Sequence, residues 1–341
     1  MQASTTGKSK GRYEKVRHLG EGQFANVYLA KDTETNELVA IKKIKLGSRD
    51  DIRDGINRTA LREIKLLQEL NHPNIICLRD VFGQQKNIQL VMDFMETDLE
   101  VVIKDKDIVF MLSHIKNIML QLLLGMEYLH QNWVLHRDLK PNNLLVNSKG
   151  RVKITDFGLA RVYGSPNRRY TSQVITLWYR PPELLYGAHN YSGSIDTWSI
   201  GCILAELLLR NAIFPGASEI DQLCKIYDIL GTPTKETWPL SELLPGFINP
   251  DFKPPMDLAA IFSVASPDLL ELIKGLFLFD PIERWGCSKS LQSAYFKSQP
   301  FACPDREVPL PRKVTDPTYK QTRRVRNEGN LSSRRVLNFD M

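Results

Sequence analysis

His136-Arg137-Asp138-Leu139-Lys140-Pro141-Asn142-Asn143 is the stretch from which the rest of the 341-residue chain can be read. Asp138 and Asn143 stand five apart, with Lys140 between them. Moving a phosphoryl group needs little covalent help from protein. It needs a carboxylate to orient the attacking hydroxyl and cations to neutralise the charge spreading over the transferred group. Asp138 would be that carboxylate, Asn143 a magnesium ligand, and Lys140 a positive charge beside the moving group. A charged surface loop between apolar segments is the plain alternative. It gives no reason for a match at every fixed position of the phosphoryl-transfer loop pattern H-R-D-L-x-x-x-N, nor for partner motifs at set distances.

Those partner motifs are present. Downstream, Leu144–Val146 and 152–155 read as short strands that deliver Asp156-Phe157-Gly158, eighteen residues beyond Asp138. Asp156 is the expected main magnesium ligand, because Mg²⁺ favours one or two carboxylates plus phosphate oxygens. Two acidic groups lining one cleft are costly without a cation, so an ion is implied. Upstream, residues 13–45 read as three strands. The turn Gly20-Glu21-Gly22-Gln23-Phe24-Ala25-Asn26-Val27, entered through Leu19, has two glycines that let backbone N–H groups approach a triphosphate. In Val39-Ala40-Ile41-Lys42, strand alternation puts Ala40 and Lys42 on one face and Ile41 and Lys43 on the other. Only Lys42 therefore faces with Ala40, an alanine beneath an adenine and a lysine reaching the α/β-phosphates.

Residues 55–70 carry apolar positions at helical spacing, and Asn71-His72-Pro73 stops them. Glu63 on this helix is placed to pair with Lys42. Strands follow at 78–83 and 88–94. Residues 92–98 then connect to a mainly helical part, with helices expected at 113–131, 194–209, 218–230, 267–278 and 288–296. Asp196 and Arg284 are candidates for holding the catalytic loop and Glu183, respectively.

Hydrophobic residues at 43% and charged residues at 25% are ordinary globular values, and the length suits two lobes. The five cysteines form no C-x-x-C pair, which argues against a disulfide framework or a zinc site and fits a reducing compartment. The polar, basic start is no signal peptide, and the apolar run near Ile203–Leu209 is interrupted by Glu206, so a soluble intracellular protein is expected. Of the net charge of +6, most sits beyond Cys303, leaving a nearly neutral body. The Pro-, Arg-, Ser- and Asn-rich composition from 298 reads as a flexible tail. With little aromatic interleaving beyond Tyr319 and Phe339, direct sequence-specific nucleic-acid binding is not expected.

Together these motifs resemble the protein kinase superfamily and, within it, the cyclin-dependent kinase family. The residues carrying the second likeness are Gly20–Ala25, Asn57–Glu63, Phe94–Glu100, Pro141–Leu145 and Gly164–Arg168. The resemblance implies an α+β, two-lobed protein kinase fold: a flexible stretch at 1–12, a kinase domain at 13–297 (N-lobe 13–95, C-lobe 96–297), and the tail 298–341. It implies ATP and Mg²⁺, with Met92, Asp93 and Met95 at an adenine hinge and Leu145 in the nucleotide site. The segment from Asp156 to Glu183 takes the place of an activation loop, with phosphorylation at Ser165 and Thr171 and a phosphate-binding cluster of Arg62, Arg137 and Arg161. Implied partners are a cyclin of the cyclin H type, a ménage-à-trois assembly factor, transcription factor IIH and protein substrates, with no membrane. Implied work is nuclear, a cytoplasmic pool being also compatible, on activation loops of other cyclin-dependent kinases and on the RNA polymerase II tail. A cell-cycle kinase with other proline-directed substrates is the alternative. A binding pseudokinase would lack Lys42, Asp138 or Asp156, and all three are present. Three positions depart from the expected pattern: Met92 where Phe is expected, Pro181 in place of the usual alanine, and Leu177 where the nearest subfamily usually has Arg, although other cyclin-dependent kinases carry Leu there.

Overall fold

The computed structural model describes residues 11–21, 25–45, 58–84, 87–163 and 170–315. The first part is an antiparallel sheet of β1 (Tyr13–Glu21), β2 (Ala25–Asp32), β3 (Leu38–Lys45), β4 (Leu78–Gln84) and β5 (Asn87–Asp93), in the order β1-β2-β3-β5-β4. Among the described residues, helix α1 (Arg58–Glu69) lies between β3 and β4 in the chain. Central strand β3 is apolar on both faces because both are covered. Val39 and Ile41 pack with Ala30 and Val91 in one small cluster, while Ile44 joins Leu66, Leu67 and Leu90 in the main core. Period-two alternation thus separates two cores, and Lys42 points to the α1 side with Ala40 and Ile44.

The second part begins with β6 (Thr97–Asp98), α2 (Leu99–Lys104) and α3 (Leu112–Gln131), followed by the short strands β7 (Val134–Leu135), β8 (Leu144–Val146), β9 (Val152–Ile154) and β10 (Arg161–Val162). Strands β6, β8 and β9 form one small sheet, and β7 and β10 another. Then come α4 (Pro182–Leu185), α5 (Ser194–Leu209), α6 (Glu219–Leu230), α7 (Leu258–Ile261), α8 (Pro267–Leu276), α9 (Cys287–Gln292) and α10 (Arg312–Thr315). Asp98, Ser218 and Ser266 accept backbone N–H bonds at the starts of α2, α6 and α8, satisfying donors that a helix leaves open. Helix α5 is buried through almost its whole length. Trp198 on it packs among Phe214, Phe277 and Phe279. Among the described residues no helix is long and apolar enough to cross a membrane.

Two expectations are corrected. The helix expected at 288–296 ends at Gln292, because Ser293 turns extended (ψ 154°) and only a single 3₁₀ turn follows. The tail expected to be flexible from 298 is packed against the body over 298–311. Asn117 Nδ2 donates to the Cys303 carbonyl (2.8 Å) and to Asp305 Oδ1 (3.0 Å), Lys116 Nζ donates to the Ser298 carbonyl (2.7 Å), and Arg151 pairs with Asp305 (2.8 Å). Composition suggested no core of its own. What it missed is that buried polar groups on α3 need partners, and this segment supplies them. Gly150, at φ +75°, lies so close to the segment that a Cβ would sit 1.7 Å from the Asp305 carbonyl oxygen. Residues 1–10 and 316–341 lie outside the described residues.

Candidate active site

The loop 136–143 is held from behind. Arg137 adopts left-handed backbone (φ 66°), and the N–H groups of His136 and Arg137 both donate to the buried Asp196 carboxylate on α5, at 3.0 and 2.9 Å. His130 Nε2, at the end of α3, lies 3.0 Å from the same carboxylate. Burial pushes the Asp196 carboxyl up, but its hydrogen bond to His130 and the surrounding donors outweigh this and hold it below the usual range. The His136 ring meets the Thr155 carbonyl (3.0 Å) and the edge of Phe157, which ties the loop to the Asp156 turn.

This scaffold fixes Asp138 in one orientation. Its Oδ2 accepts from Lys140 Nζ (2.8 Å) and Asn143 Nδ2 (3.0 Å), and its Oδ1 accepts from Thr176 Oγ1 (3.0 Å). Thr176 Oγ1 in turn accepts from Lys140 Nζ at 2.9 Å. A carboxylate gripped at both oxygens is pre-positioned, which is what a base acting on an incoming hydroxyl requires.

Across the cleft, Lys42 Nζ lies 2.7 Å from Glu63 Oε1 and 3.5 Å from Asp156 Oδ1. Burial would discharge Lys42; the two carboxylates overcome it and raise its pKa. Asp156 is likewise pushed up by burial and pulled down further by Lys42 and His136, and stays ionised. Its backbone is left-handed (φ 66°), which leaves the side chain half exposed to the cleft. The Asn143 amide N–H₂ is committed to Asp138, donating also to its carbonyl (2.7 Å), so its Oδ1 is the atom left for coordination. One carboxylate and one amide oxygen, completed by phosphate oxygens, are the donor set a hard Mg²⁺ ion takes.

The remaining expected nucleotide residues surround this centre unevenly. Ala40 pairs with Met92 on the adjacent strand; both are buried, as is Met95. Leu19 is half-buried, Gly20 and Glu21 pair with Val27 and Asn26, and Leu145 lies half-buried on β8. Ala25 pairs with Ile44. The Asp93 carboxylate is taken by Lys153 (2.7 Å) and Arg79 (2.8 Å), leaving only backbone for an adenine. Gly22, Gln23, Phe24 and Ser165 lie outside the described residues.

The three arginines are divided. Arg62 and Arg161 line one 190 Å³ cavity between α1 and β10. Arg137 instead donates to the Leu159 carbonyl (2.8 Å) and to Tyr191 Oη (2.9 Å), and Tyr191 donates to the backbone carbonyl of the exposed Thr171. The end of the segment is pinned by Glu183 and Arg284, paired at 2.7 and 2.9 Å. Thr176 and Tyr191 were missed in the sequence. Both act through tertiary approach, and neither carries a local signal.

A positioned carboxylate, a lysine held by a helical glutamate and an acidic turn facing them across a cleft define a nucleotide-dependent phosphotransferase. The comparisons agree. Residues 13–296 match the protein kinase domain model. Cyclin-dependent kinase 7 of Caenorhabditis elegans is 61% identical over 96% of this chain and 99% of its own length, and that of Xenopus laevis 57% over 88% and 85%. Among solved structures, the CAK complex from Chaetomium thermophilum bound to ATP-γ-S matches with a TM-score of 0.83 at 39% identity, covering 88% of this chain and 95% of that one. The yeast RNA Pol II CTD kinase CTDK-1 complex matches at 0.80 and 39%, covering 89% and 99%. The chain belongs to the protein kinase family and, within it, to the cyclin-dependent kinases most like cyclin-dependent kinase 7. It is an ATP-binding serine/threonine protein kinase with a β-rich N-lobe and a helical C-lobe.

Proposed function

We propose that the chain, bound to a cyclin of the cyclin H type and a ménage-à-trois assembly factor, phosphorylates activation loops of other cyclin-dependent kinases and, within transcription factor IIH in the nucleus, the RNA polymerase II C-terminal domain. The observation carrying the reaction is Asp138, gripped at both oxygens by Lys140, Asn143 and Thr176. Its carboxylate accepts the proton of the attacking serine or threonine hydroxyl, while Lys140 and Lys42 offset charge on the phosphates. Mg²⁺, held by Asp156 and Asn143, would neutralise phosphate charge when bound. The relatives' names and the CAK and CTD-kinase neighbours support the substrate classes. A cyclin is further favoured by α1, which turns Glu63 inward while leaving Leu61 46% exposed on its outer face.

Substrate choice has a local basis. Ile175 is left-handed (φ 66°), an unusual state for a β-branched residue, and its N–H donates to the Arg137 carbonyl. The Ile175 carbonyl is capped by Arg180 Nε and Nη2 at 3.2 and 3.0 Å. One residue from Thr176, the segment thus withholds an acceptor from a peptide N–H, and a proline, lacking that N–H, loses nothing there. Phosphorylation of Thr171, and secondarily Ser165, is the proposed switch, a phosphate drawing together Arg62, Arg137 and Arg161. The test is purification from cells with mass spectrometry, followed by turnover on activation-loop and polymerase-tail peptides, with Asp138→Asn as control. Recovery of a cyclin and transcription factor IIH subunits, with Thr171→Ala impaired in the binary cyclin complex, is expected. A different cyclin and no turnover on either peptide would overturn the reading.

A further inference from the structure

Behind the catalytic loop lies a second chemical array that phosphoryl transfer does not use. Cys287 Sγ, at the start of α9, is 3.7 Å from His130 Nδ1, and the other nitrogen of that ring is 3.0 Å from Asp196 Oδ2. Asp196 is the carboxylate that receives the N–H groups of His136 and Arg137. Sulfur, imidazole, carboxylate and catalytic loop therefore form one chain of contacts. A 420 Å³ cavity is lined by Cys287 and His130, with Glu127, Tyr163, Ser288 and Arg284 around them. Burial alone would lower the His130 pKa. The adjacent Cys287 sulfur and the hydrogen bond to Asp196 outweigh it and push the value up to about 10, so the ring is cationic at neutral pH. A sulfur within reach of an imidazole whose other nitrogen is held by a carboxylate is the geometry in which cysteine nucleophiles are found.

We propose that Cys287 is a site of oxidation by small peroxides, and that its oxidation releases the catalytic loop. The sulfur attacks one peroxide oxygen, an S–O bond forms as the O–O bond breaks, and the second oxygen leaves as hydroxide and takes the thiol proton to become water. Sulfur is oxidised to sulfenic acid and the peroxide is reduced; a thiol reductant reverses the change. The added oxygen lies in the gap now closed by the sulfur–imidazole contact. On the Gly193 side the ring is closely backed, since a Cβ there would sit 2.8 Å from its Cε1 and Nδ1. Displacement passes to Asp196 and so to the backbone that carries Asp138. Cys287 is itself buried, as are Cys202 and Cys303, whereas Cys77 and Cys224 are exposed; it differs from the other four in its imidazole contact and in lining the cavity, none of the four having a described imidazole contact.

The test treats the full chain with hydrogen peroxide and then with a dimedone probe for sulfenic acid, mapping adducts by peptide mass spectrometry. Turnover of the cyclin-bound chain is measured in parallel. The adduct is expected mainly on Cys287, with activity falling about 10²-fold, the scale of an ångström-sized misplacement, and returning on reduction. Cys287→Ala should keep its activity through the same treatment. A Cys77→Ser/Cys224→Ser chain, which leaves Cys287 in place, should lose activity as the parent does, and it carries the test if Cys287→Ala folds poorly. Adducts on Cys77 or Cys224 with Cys287 untouched would overturn the site. A Cys287 adduct with undiminished turnover, or equal loss in Cys287→Ala, would overturn the coupling. Labelling is read without activity, so it stands apart from the proposed substrates.

Discussion

Removing the Glu183 charge should unfold the C-lobe more readily than any surface substitution, and the structure sets the size of the effect. The side chains of Arg284 and Glu183 are 0% and 3% exposed. Arg284 has five N–H donors and five acceptors: Glu183 Oε1 (2.7 Å) and Oε2 (2.9 Å), and the carbonyls of Leu278 (2.8 Å), Ser194 (3.0 Å) and Phe279 (3.1 Å). Its guanidinium also lies 4.9 Å from the Trp198 ring centre. Glu183→Gln leaves a buried cation with a neutral partner that can accept only part of what the carboxylate did, a loss of about 3 kcal/mol; Arg284→Met strands a buried carboxylate and should lose about 4 kcal/mol. The double variant has no stranded charge, so its loss should fall short of the sum by about 2 kcal/mol. Urea unfolding followed by tryptophan fluorescence measures all three, with Trp198 beside the pair as reporter. Losses that add to within about 0.5 kcal/mol would refute the argument, because they would mean the two groups are stabilised independently.

Thr176→Val keeps the side chain's shape but removes both its bonds to Asp138 and Lys140, so kcat should fall about 10²-fold at unchanged folding stability; a fall of less than about threefold in saturating ATP would show that Thr176 does not position the carboxylate. Lys42→Met and Glu63→Gln should each impair turnover severely and together little more, since they break one ion pair; independent effects in a double-mutant cycle would sink the pairing. The His130 pKa is raised in the folded state, so its stabilisation is complete below about pH 6.5 and is lost as pH climbs toward about 10. Unfolding free energy should therefore drop by about 2 kcal/mol from pH 7 to 9, and His130→Gln should flatten that slope; parallel slopes would reject the assignment.

What the sequence made legible has a physical pattern. Asp138, Asn143 and Lys42 are placed by local geometry, a tight loop or strand alternation, and local geometry leaves fixed spacings. Glu63, Asp196 and Arg284 were legible only as candidates, because a charge on a helix looks the same whether it faces solvent or a buried partner. Thr176, Tyr191 and the packed segment 298–311 left no signal. Their roles come from chains meeting across long separations, as when Asn117 donates to a carbonyl 186 residues away. Composition failed at 298 for the same reason: Pro and polar residues predict no core of their own, yet they can satisfy someone else's buried donors.

Two of the site's ion pairs, Glu183–Arg284 and Lys42–Glu63, differ in a way that assigns them different duties. Glu183–Arg284 is sealed and wrapped in carbonyls, so breaking it leaves a charge that has nowhere to go. A contact of that kind is kept through every working state. Lys42–Glu63 is more open, with Lys42 18% exposed, and Asp156 at 3.5 Å is a ready second partner for the lysine if Glu63 withdraws. Helix α1, which carries Glu63, also carries Arg62 beside the β10 cavity and an uncovered Leu61 on its far side. One helix thus carries the partner of the phosphate-positioning lysine, the arginine proposed to meet a phosphorylated segment, and an exposed apolar residue proposed to meet a cyclin. A partner or a phosphate that shifts α1 must shift Glu63 with it, and the sealed pair below cannot follow. Regulation is therefore expected to act on the pair carried by β3 and α1, while the pair inside the C-lobe keeps the end of the segment at Glu183 where it is.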